Sequence, residues 1–368
     1  MDIKIITCHN VANYGAALQA LALQTYIEEK GHDVKIINYV PEYLNSYNLW
    51  NVPKSSRLYK LSQHSRLVLA IYAMKTYVSI RATQKRVNAF NEFHKKFFHL
   101  TEKFTSYDEI VSNPPKADLY IAGSDQIWST FLKNGRDPSF YCAFGSNSTK
   151  RISYAASFGF PELFGYDCFV KSMLLGFDDI SIREETGVNI ARNLNIKATQ
   201  VVDPVLLLDK DKWINILRIK NKIIKYKYLL VYDIFLSDER MKKNAERIAL
   251  NKGLKIIAIN DIKPNPYADI NVNDGGPQEF INLIANAEYV LADSFHATAF
   301  SIIFRKPFCI FYTKSNISRI KDFLSSVNLK NRLNPDSEIP DTINWNEVEH
   351  LLREKIRTSK NFLNAHLG

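Results

Sequence analysis

The residues Asp293-Ser294-Phe295-His296 close one apolar strand and open a helix, and a lone histidine in that setting points to anion chemistry. The first backbone N–H groups of a helix have no partners within it, so a helix start beside an imidazole forms a seat for phosphate or carboxylate. The imidazole also titrates near neutral pH and can carry a proton to or from a ligand. Upstream, Gly275-Gly276-Pro277 opens another helix, which reads either as a second anion-friendly helix start on the same cleft or as a plain turn. Arg183 directly follows an apolar strand in Ser181-Ile182-Arg183-Glu184-Glu185. Its guanidinium is costly to desolvate without a counter-charge, and its planar fork suits carboxylate or phosphate; pairing with Glu184 or Glu185 is the structural alternative.

Other clusters suit hydroxyl groups. Ser124, Asp125 and Gln126 leave the strand Leu119–Ala122 with donors and acceptors for a sugar, and Trp128 close by offers a face for a sugar ring. Capping of the next helix by Ser124 or Asp125 explains the same residues without a ligand. Asn13, Tyr14 and Gly15 follow the first strand, where a glycine lets backbone approach a ligand just as a helix begins, although one glycine is also what a simple turn needs. Asp203, in Val201-Val202-Asp203-Pro204, is read as a domain-edge turn and given no role.

The elements that must position these groups alternate between strand and helix. Strand Ile3–Thr7, a helix over about 16–29 and strand Val34–Asn38 form a βαβ opening, and apolar runs recur at Leu119–Ala122, Ile152–Ala156, Ile180–Ile182 and Thr199–Val202. Unbroken apolar runs fit strands buried on both faces. A second series follows, with strands at Tyr228–Tyr232, Lys255–Ile259, Tyr289–Ala292 and Phe308–Phe311 separated by helices. The Lys-rich segment Lys210–Lys227 marks the boundary. The expected fold is therefore α/β, with two Rossmann-like doubly wound domains facing across a cleft: residues 1–209 with a basic helical insert at about 54–103, residues 210–344, and a C-terminal helix in 345–368 that packs back on the body.

With 368 residues, 46% of them hydrophobic, the chain is long enough for two ordinary cores. Residues 54–103 hold eleven Lys/Arg against two acidic residues and so account for nearly all of the net charge of +10. This segment reads as basic amphipathic helices, either a solvated face or a contact for an anionic membrane surface or substrate; no nucleic-acid partner is expected. The longest apolar stretch, Leu67–Ile80, is too short to span a bilayer and contains Lys75. No secretion signal is seen at the N-terminus. Cys8, Cys142, Cys168 and Cys309 have no CxxC spacing, so neither zinc nor a disulfide framework is suggested, and a cytoplasmic setting is expected.

Taken in order, ITCHNVANYGAALQALAL, IAGSDQIW, ISYAASFG, SIREETG, VVDPVLLL, GPQEF and DSFHATAFSIIFRKPF resemble the polysaccharide pyruvyl transferase family over nearly the whole chain. The resemblance implies a fold similar to GT-B glycosyltransferases and transfer of pyruvate from phosphoenolpyruvate, as a ketal, to two hydroxyls of a sugar in a bacterial surface polysaccharide such as capsule, exopolysaccharide or O-antigen. By that likeness Arg183 and His296 are catalytic and donor-binding, with Ser294, Gly275 and Gly276 also on the donor side. Asn13, Tyr14, Gly15, Ser124, Asp125 and Gln126 lie on the acceptor side, and Asp125 serves as hydroxyl-side base. Phosphoenolpyruvate is a co-substrate, no cofactor or metal is expected, and the acceptor is a glycan, free or lipid-linked. The chain departs from the family at Ser294, where many relatives carry a second donor-binding arginine; Arg305 and Lys306 lie at the far end of the helix, and Lys314 or backbone N–H groups are the alternatives. Two other functions compete: a GT-B glycosyltransferase using a nucleotide sugar, and a non-enzymatic basic membrane- or glycan-binding protein.

Overall fold

The computed structural model describes residues 1–44, 65, 84–220, 224–234, 239–260, 264–312, 317–335 and 342–368. Two parallel sheets carry the fold. The first runs β3-β2-β1-β4-β5-β6-β7, built from Asp2–Ile6 (β1), Asp33–Tyr39 (β2), Leu100–Phe104 (β3), Leu119–Ala122 (β4), Lys150–Ala156 (β5), Asp179–Ile182 (β6) and Thr199–Gln200 (β7). The second runs β10-β9-β8-β11-β12, from Tyr228–Tyr232 (β8), Lys255–Ile259 (β9), Ile270–Val272 (β10), Tyr289–Ala292 (β11) and Phe308–Ile310 (β12). Strand order reverses between β1 and β4 in one sheet and between β8 and β11 in the other. Ligands of such sheets lie beyond the carboxyl ends of strands at those reversals, where Cys8, Asp125, Asp233 and Asp293 emerge.

Alternation along the strands sorts side chains into layers. Ile3 and Ile5 of β1, with Leu230 and Tyr232 of β8, face a core shared by both sheets, whereas Ile6 and Leu229 face separate outer cores. The helix Tyr14–Glu28 is the centre of the shared core. Thirteen of its residues are buried, so it has no solvent face and serves both halves. Tyr14 stacks on Phe280 of the helix Pro277–Asn286 at 4.4 Å between centroids, and its hydroxyl donates to the Gly275 carbonyl at 2.9 Å. Arg86 donates to the same hydroxyl at 2.5 Å.

Several sequence expectations shift. The segment 54–103 is not a wholly peripheral insert: residues 84–97 are helical, Phe90, Phe93 and Arg86 are buried, and Leu100–Phe104 joins the sheet edge. Lys54, Arg57, Lys60, Arg66, Lys75 and Arg81 fall outside the described residues, whereas Lys85, Lys95, Lys96 and Lys103 lie within them. The boundary segment opens with the helix Lys210–Leu217, capped by Asp209. The strand expected over Thr199–Val202 stops at Gln200, because Val202 N–H turns to the Ser359 hydroxyl at 2.9 Å instead of a ladder partner. That serine belongs to the helix Trp345–Leu367, which lies against the first sheet, with His366 3.1 Å from Asp179. Among the described residues no helix is long and apolar enough to cross a membrane.

If Tyr14 ties the halves together, Tyr14→Phe keeps the stack on Phe280 but removes the bond to Gly275 and the acceptor for Arg86. The expected cost is about 1–3 kcal/mol, read as a lower urea midpoint with unchanged slope; an unchanged midpoint contradicts this role.

Candidate active site

Within the otherwise apolar run Val201–Leu208, Asp203 is the exception, and it is 1% exposed. A carboxylate there must be paired, because an isolated buried charge is prohibitively costly. Its Oδ1 accepts from Val205 N–H at 3.1 Å, and Pro204 starts a short 3₁₀ turn that fixes this geometry. Its Oδ2 accepts from Ser124 Oγ at 3.2 Å and from Arg183 Nη1 at 2.5 Å, and lies 3.5 Å from His296 Nε2. Tyr154 donates to the neighbouring Val202 carbonyl at 3.1 Å, so the loop is held on both sides. Burial alone would raise the Asp203 carboxyl, but His296 and then Arg183 more than offset it and hold the group well below the usual carboxylate range.

Arg183 enters this network from the end of β6. Burial opposes its charge, yet Asp203, Glu184 and Asp125 keep it firmly ionised. Its Nε is 3.8 Å from Glu184 Oε2 and its Nη2 is 4.0 Å from Asp125 Oδ1, both beyond hydrogen-bond range. These two donor atoms are buried without a hydrogen-bond partner, and the guanidinium lies 4.8 Å over the Phe295 ring. Glu184 is anchored elsewhere: its Oε1 accepts from Ser157 Oγ at 2.8 Å and Phe158 N–H at 3.0 Å. A register break in β5, with Ala155 at φ 54°, brings Ser157 and Phe158 to that carboxylate.

His296 comes from the second half, on the first turn of the helix Phe295–Ile303, whose start is capped by Ser294. Its ring lies against Gly15 so closely that a Cβ on residue 15 would fall 1.9 Å from Nδ1. Only glycine fits there, although its φ is ordinary; close approach, not backbone freedom, is the reason. Between the halves lies a cavity of about 190 Å³ walled by Arg183, Glu184, Asp203, Phe295, Arg319 and Asp322, among others. His296 reaches this wall through Asp203. A fixed cation with two unused donors, beside an imidazole held by a carboxylate, can bind a small anion and move a proton. Among the described residues no group of three or more His, Cys, Asp or Glu is placed to hold a metal ion.

Residues 13–315 match the family model for polysaccharide pyruvyl transferase, which is most of the chain. The chain belongs to the polysaccharide pyruvyl transferase family. As a member it is a transferase. No curated protein matches it by sequence. Its structure is similar to that of the UDP-GlcNAc 2-epimerase from Neisseria meningitidis bound to UDP-GlcNAc, with a TM-score of 0.53, 10% identity and 100% of both chains covered. It is also similar to a Listeria monocytogenes protein described as a candidate UDP-N-acetylglucosamine 2-epimerase, with a TM-score of 0.50, 8% identity, and 98% of this chain and 90% of that one covered. Identities this low speak for fold alone, and the fold is GT-B-like, with two Rossmann-like domains.

In this pyruvyl transferase family member, Arg183, His296 and Asp125 come together, whereas other expected site residues are occupied with structure. Asp125 sits beyond the carboxyl end of β4 with φ 74°, a left-handed backbone uncommon outside glycine, held by Ile127 N–H and Ser157 N–H on its carbonyl. Ser124 is buried and spends its hydroxyl on Asp203, so it positions the site from beneath. Gln126 packs over Gly159. Trp128 offers no sugar face: it is fully buried, stacked on Tyr141, and its Nε1 donates to the Phe140 carbonyl. Tyr14 is an interdomain strut rather than an acceptor contact, Gly15 seats His296, and Asn13 is exposed and caps the helix through Ala16 N–H. Gly275 accepts from Tyr14 and Gly276 packs on Ala89, and neither glycine lines the cavity that holds Arg183. Arg305 binds Glu349 on the outside, Lys306 is partly buried away from the cavity lining, and Lys314 is outside the described residues.

Sequence reasoning gives Asp203 no role and does not single out Arg319, while Glu184 stands where the structural alternative put it, beside Arg183. For Asp203 the signal was present, since one acid inside an eight-residue apolar run announces a buried partner; for Arg319, an amphipathic helix start, there was none.

The depressed Asp203 carboxyl sets a pH dependence. Its unfolded value is about 3.9, so its contribution to stability is present above about pH 4 and is lost as pH falls below that. Asp203→Asn is expected to cost about 3–5 kcal/mol at pH 7, by leaving Arg183 without its closest counter-charge, and to flatten the acid limb of stability. Urea midpoints at pH 7, 4 and 3 for both proteins check this; parallel curves contradict it.

Proposed function

We propose that the protein transfers pyruvate from phosphoenolpyruvate to two hydroxyls of one sugar, forming a cyclic ketal on a bacterial surface-polysaccharide precursor and releasing phosphate. One observation carries this reading: Arg183 from the first half and His296 from the second meet at a single carboxylate, Asp203, on the wall of the interdomain cavity. Family membership supplies the reaction class, and the residues supply parts suited to it.

The chemistry runs as follows. His296, whose Nε2 lies 3.5 Å from the Asp203 carboxylate, donates a proton to the methylene carbon of the enol, and the carbon bearing the phosphate becomes electrophilic. Arg183, through Nε and Nη2, holds the carboxylate or phosphate and offsets its charge where water is largely excluded. One sugar hydroxyl adds to the electrophilic carbon, the C–O bond to phosphate breaks, and the second hydroxyl closes the ketal. Of the two hydroxyl protons, one replaces that given up by His296 and the other leaves with phosphate. Asp125, beyond the carboxyl end of β4, is the hydroxyl-side base, and the acceptor lies on the first half.

Likeness to enzymes of UDP-GlcNAc gives no separate support to nucleotide-sugar chemistry in this chain, because it reports fold alone. Incubation with phosphoenolpyruvate and a panel of nucleotide-activated and lipid-linked hexoses is expected to release inorganic phosphate and yield a sugar bearing a pyruvate ketal. His296→Ala is expected to lower turnover by about 10²–10⁴-fold. Absence of product across a broad panel, or unchanged turnover in the variant, contradicts the proposal.

A further inference from the structure

We infer that Arg319 is the second cation of the cavity, and that with Arg183 it forms a two-guanidinium clamp on the phosphate or carboxylate of one small anion. This inference rests on reading the cavity as the phosphoenolpyruvate site, and it names the group that stands in for the arginine absent at Ser294. Arg319 lies in the helix Ile317–Ser326, on the half opposite Arg183. That helix is fixed from two sides. Asp322, one turn on, accepts from Thr186 Oγ1 at 3.0 Å, which ties it to the helix Glu185–Asn193 that begins directly after Arg183 and Glu184. Phe323 packs on Phe295 at 5.3 Å between centroids, and the other side of this contact is the ring under the Arg183 guanidinium.

Both arginines line one cavity of about 190 Å³. Like charges in a partly desolvated space repel, and an anion between them removes that cost. The repulsion is felt at Arg319, which is pulled below the ordinary arginine range first by burial and then by the charge of Arg183, with Glu184 and Asp125 opposing. Asp203 serves Arg183, Ser124 and Val205, and Asp322 serves Thr186. On the Arg183 side, Nε and Nη2 are buried and bonded to nothing in the protein, which is the second observation that calls for a ligand. No arginine or lysine stands at the start of the helix Phe295–Ile303, where Ser294 spends its hydroxyl on the cap.

The competing role for Arg319 is to balance Glu184 and Asp125 with no ligand contact, and the two roles separate by anion affinity. Full-length wild type, Arg319→Gln, Arg319→Lys and, as a surface control, Arg305→Ala are titrated by calorimetry with inorganic phosphate and with phosphoenolpyruvate, and each unliganded melting temperature is recorded. The expected result is binding of both anions by wild type and Arg305→Ala, a loss of about 10–100-fold in affinity in Arg319→Gln, and a smaller loss in Arg319→Lys, which keeps the charge without the fork. A folded Arg319→Gln protein with wild-type affinity overturns the clamp. If Arg319→Gln does not fold, Arg319→Lys decides: weakened anion binding supports the clamp, and wild-type binding overturns it. Wild type that binds phosphate through Arg319 but not phosphoenolpyruvate keeps the clamp and sinks the donor reading. Wild type that binds neither overturns both.

Discussion

The candidate active site of this protein is arranged around one buried carboxylate. Asp203 cannot stand in an apolar run unless its charge is met, and the groups that meet it come from distant parts of the chain: Ser124 beyond β4, Arg183 beyond β6 and His296 beyond β11. The demand for a counter-charge thus does more than stabilise. It brings a cation from one half and an imidazole from the other to the same oxygen, and the C-terminal helix secures the loop through Ser359. The cost of burying these charges is offset only with all partners in place, which makes the cluster a specific feature rather than a simple source of stability.

The second constraint is close approach at the start of the helix Tyr14–Glu28. Tyr14 links to Gly275 and stacks on Phe280, and the next residue, Gly15, leaves just enough space for the His296 ring. Two adjacent residues of one buried helix therefore set both the spacing of the halves and the position of the imidazole. Because one core runs continuously through both halves, large separation of the domains would expose the Tyr14 stack. The site is held together before any ligand arrives, as electrostatic catalysis requires.

Much of the architecture was legible in the sequence, because strands buried on both faces are unbroken apolar runs and β4, β8, β9 and β11 each stand out as one, while β1 shows as an alternation broken by Lys4. The exceptions have physical reasons. Leu100–Phe104 is an edge strand with two exposed residues, so it carries no apolar run and disappears into its basic surroundings. Of the site, Arg183 and His296 could be read from position alone, as charged or titratable groups at the exits of buried strands. Asp203 was misread because a Pro after an acid looks like a turn, which it is, while its burial is a tertiary fact. Tyr14, Gly275 and Trp128 have types that suit sugars, but packing between halves claimed them first. Arg319 could not be found from sequence, since only the docking of its helix through Asp322 and Phe323 brings it to the cavity.

The most direct test is a crystal structure of the full-length protein with phosphoenolpyruvate bound and no acceptor present. The account predicts the ligand in the cavity between the halves, with a carboxylate or phosphate oxygen within hydrogen-bond distance of Nε or Nη2 of Arg183, and its methylene carbon turned toward His296. Phosphoenolpyruvate seated away from Arg183, with those two nitrogens still without a partner, would contradict it.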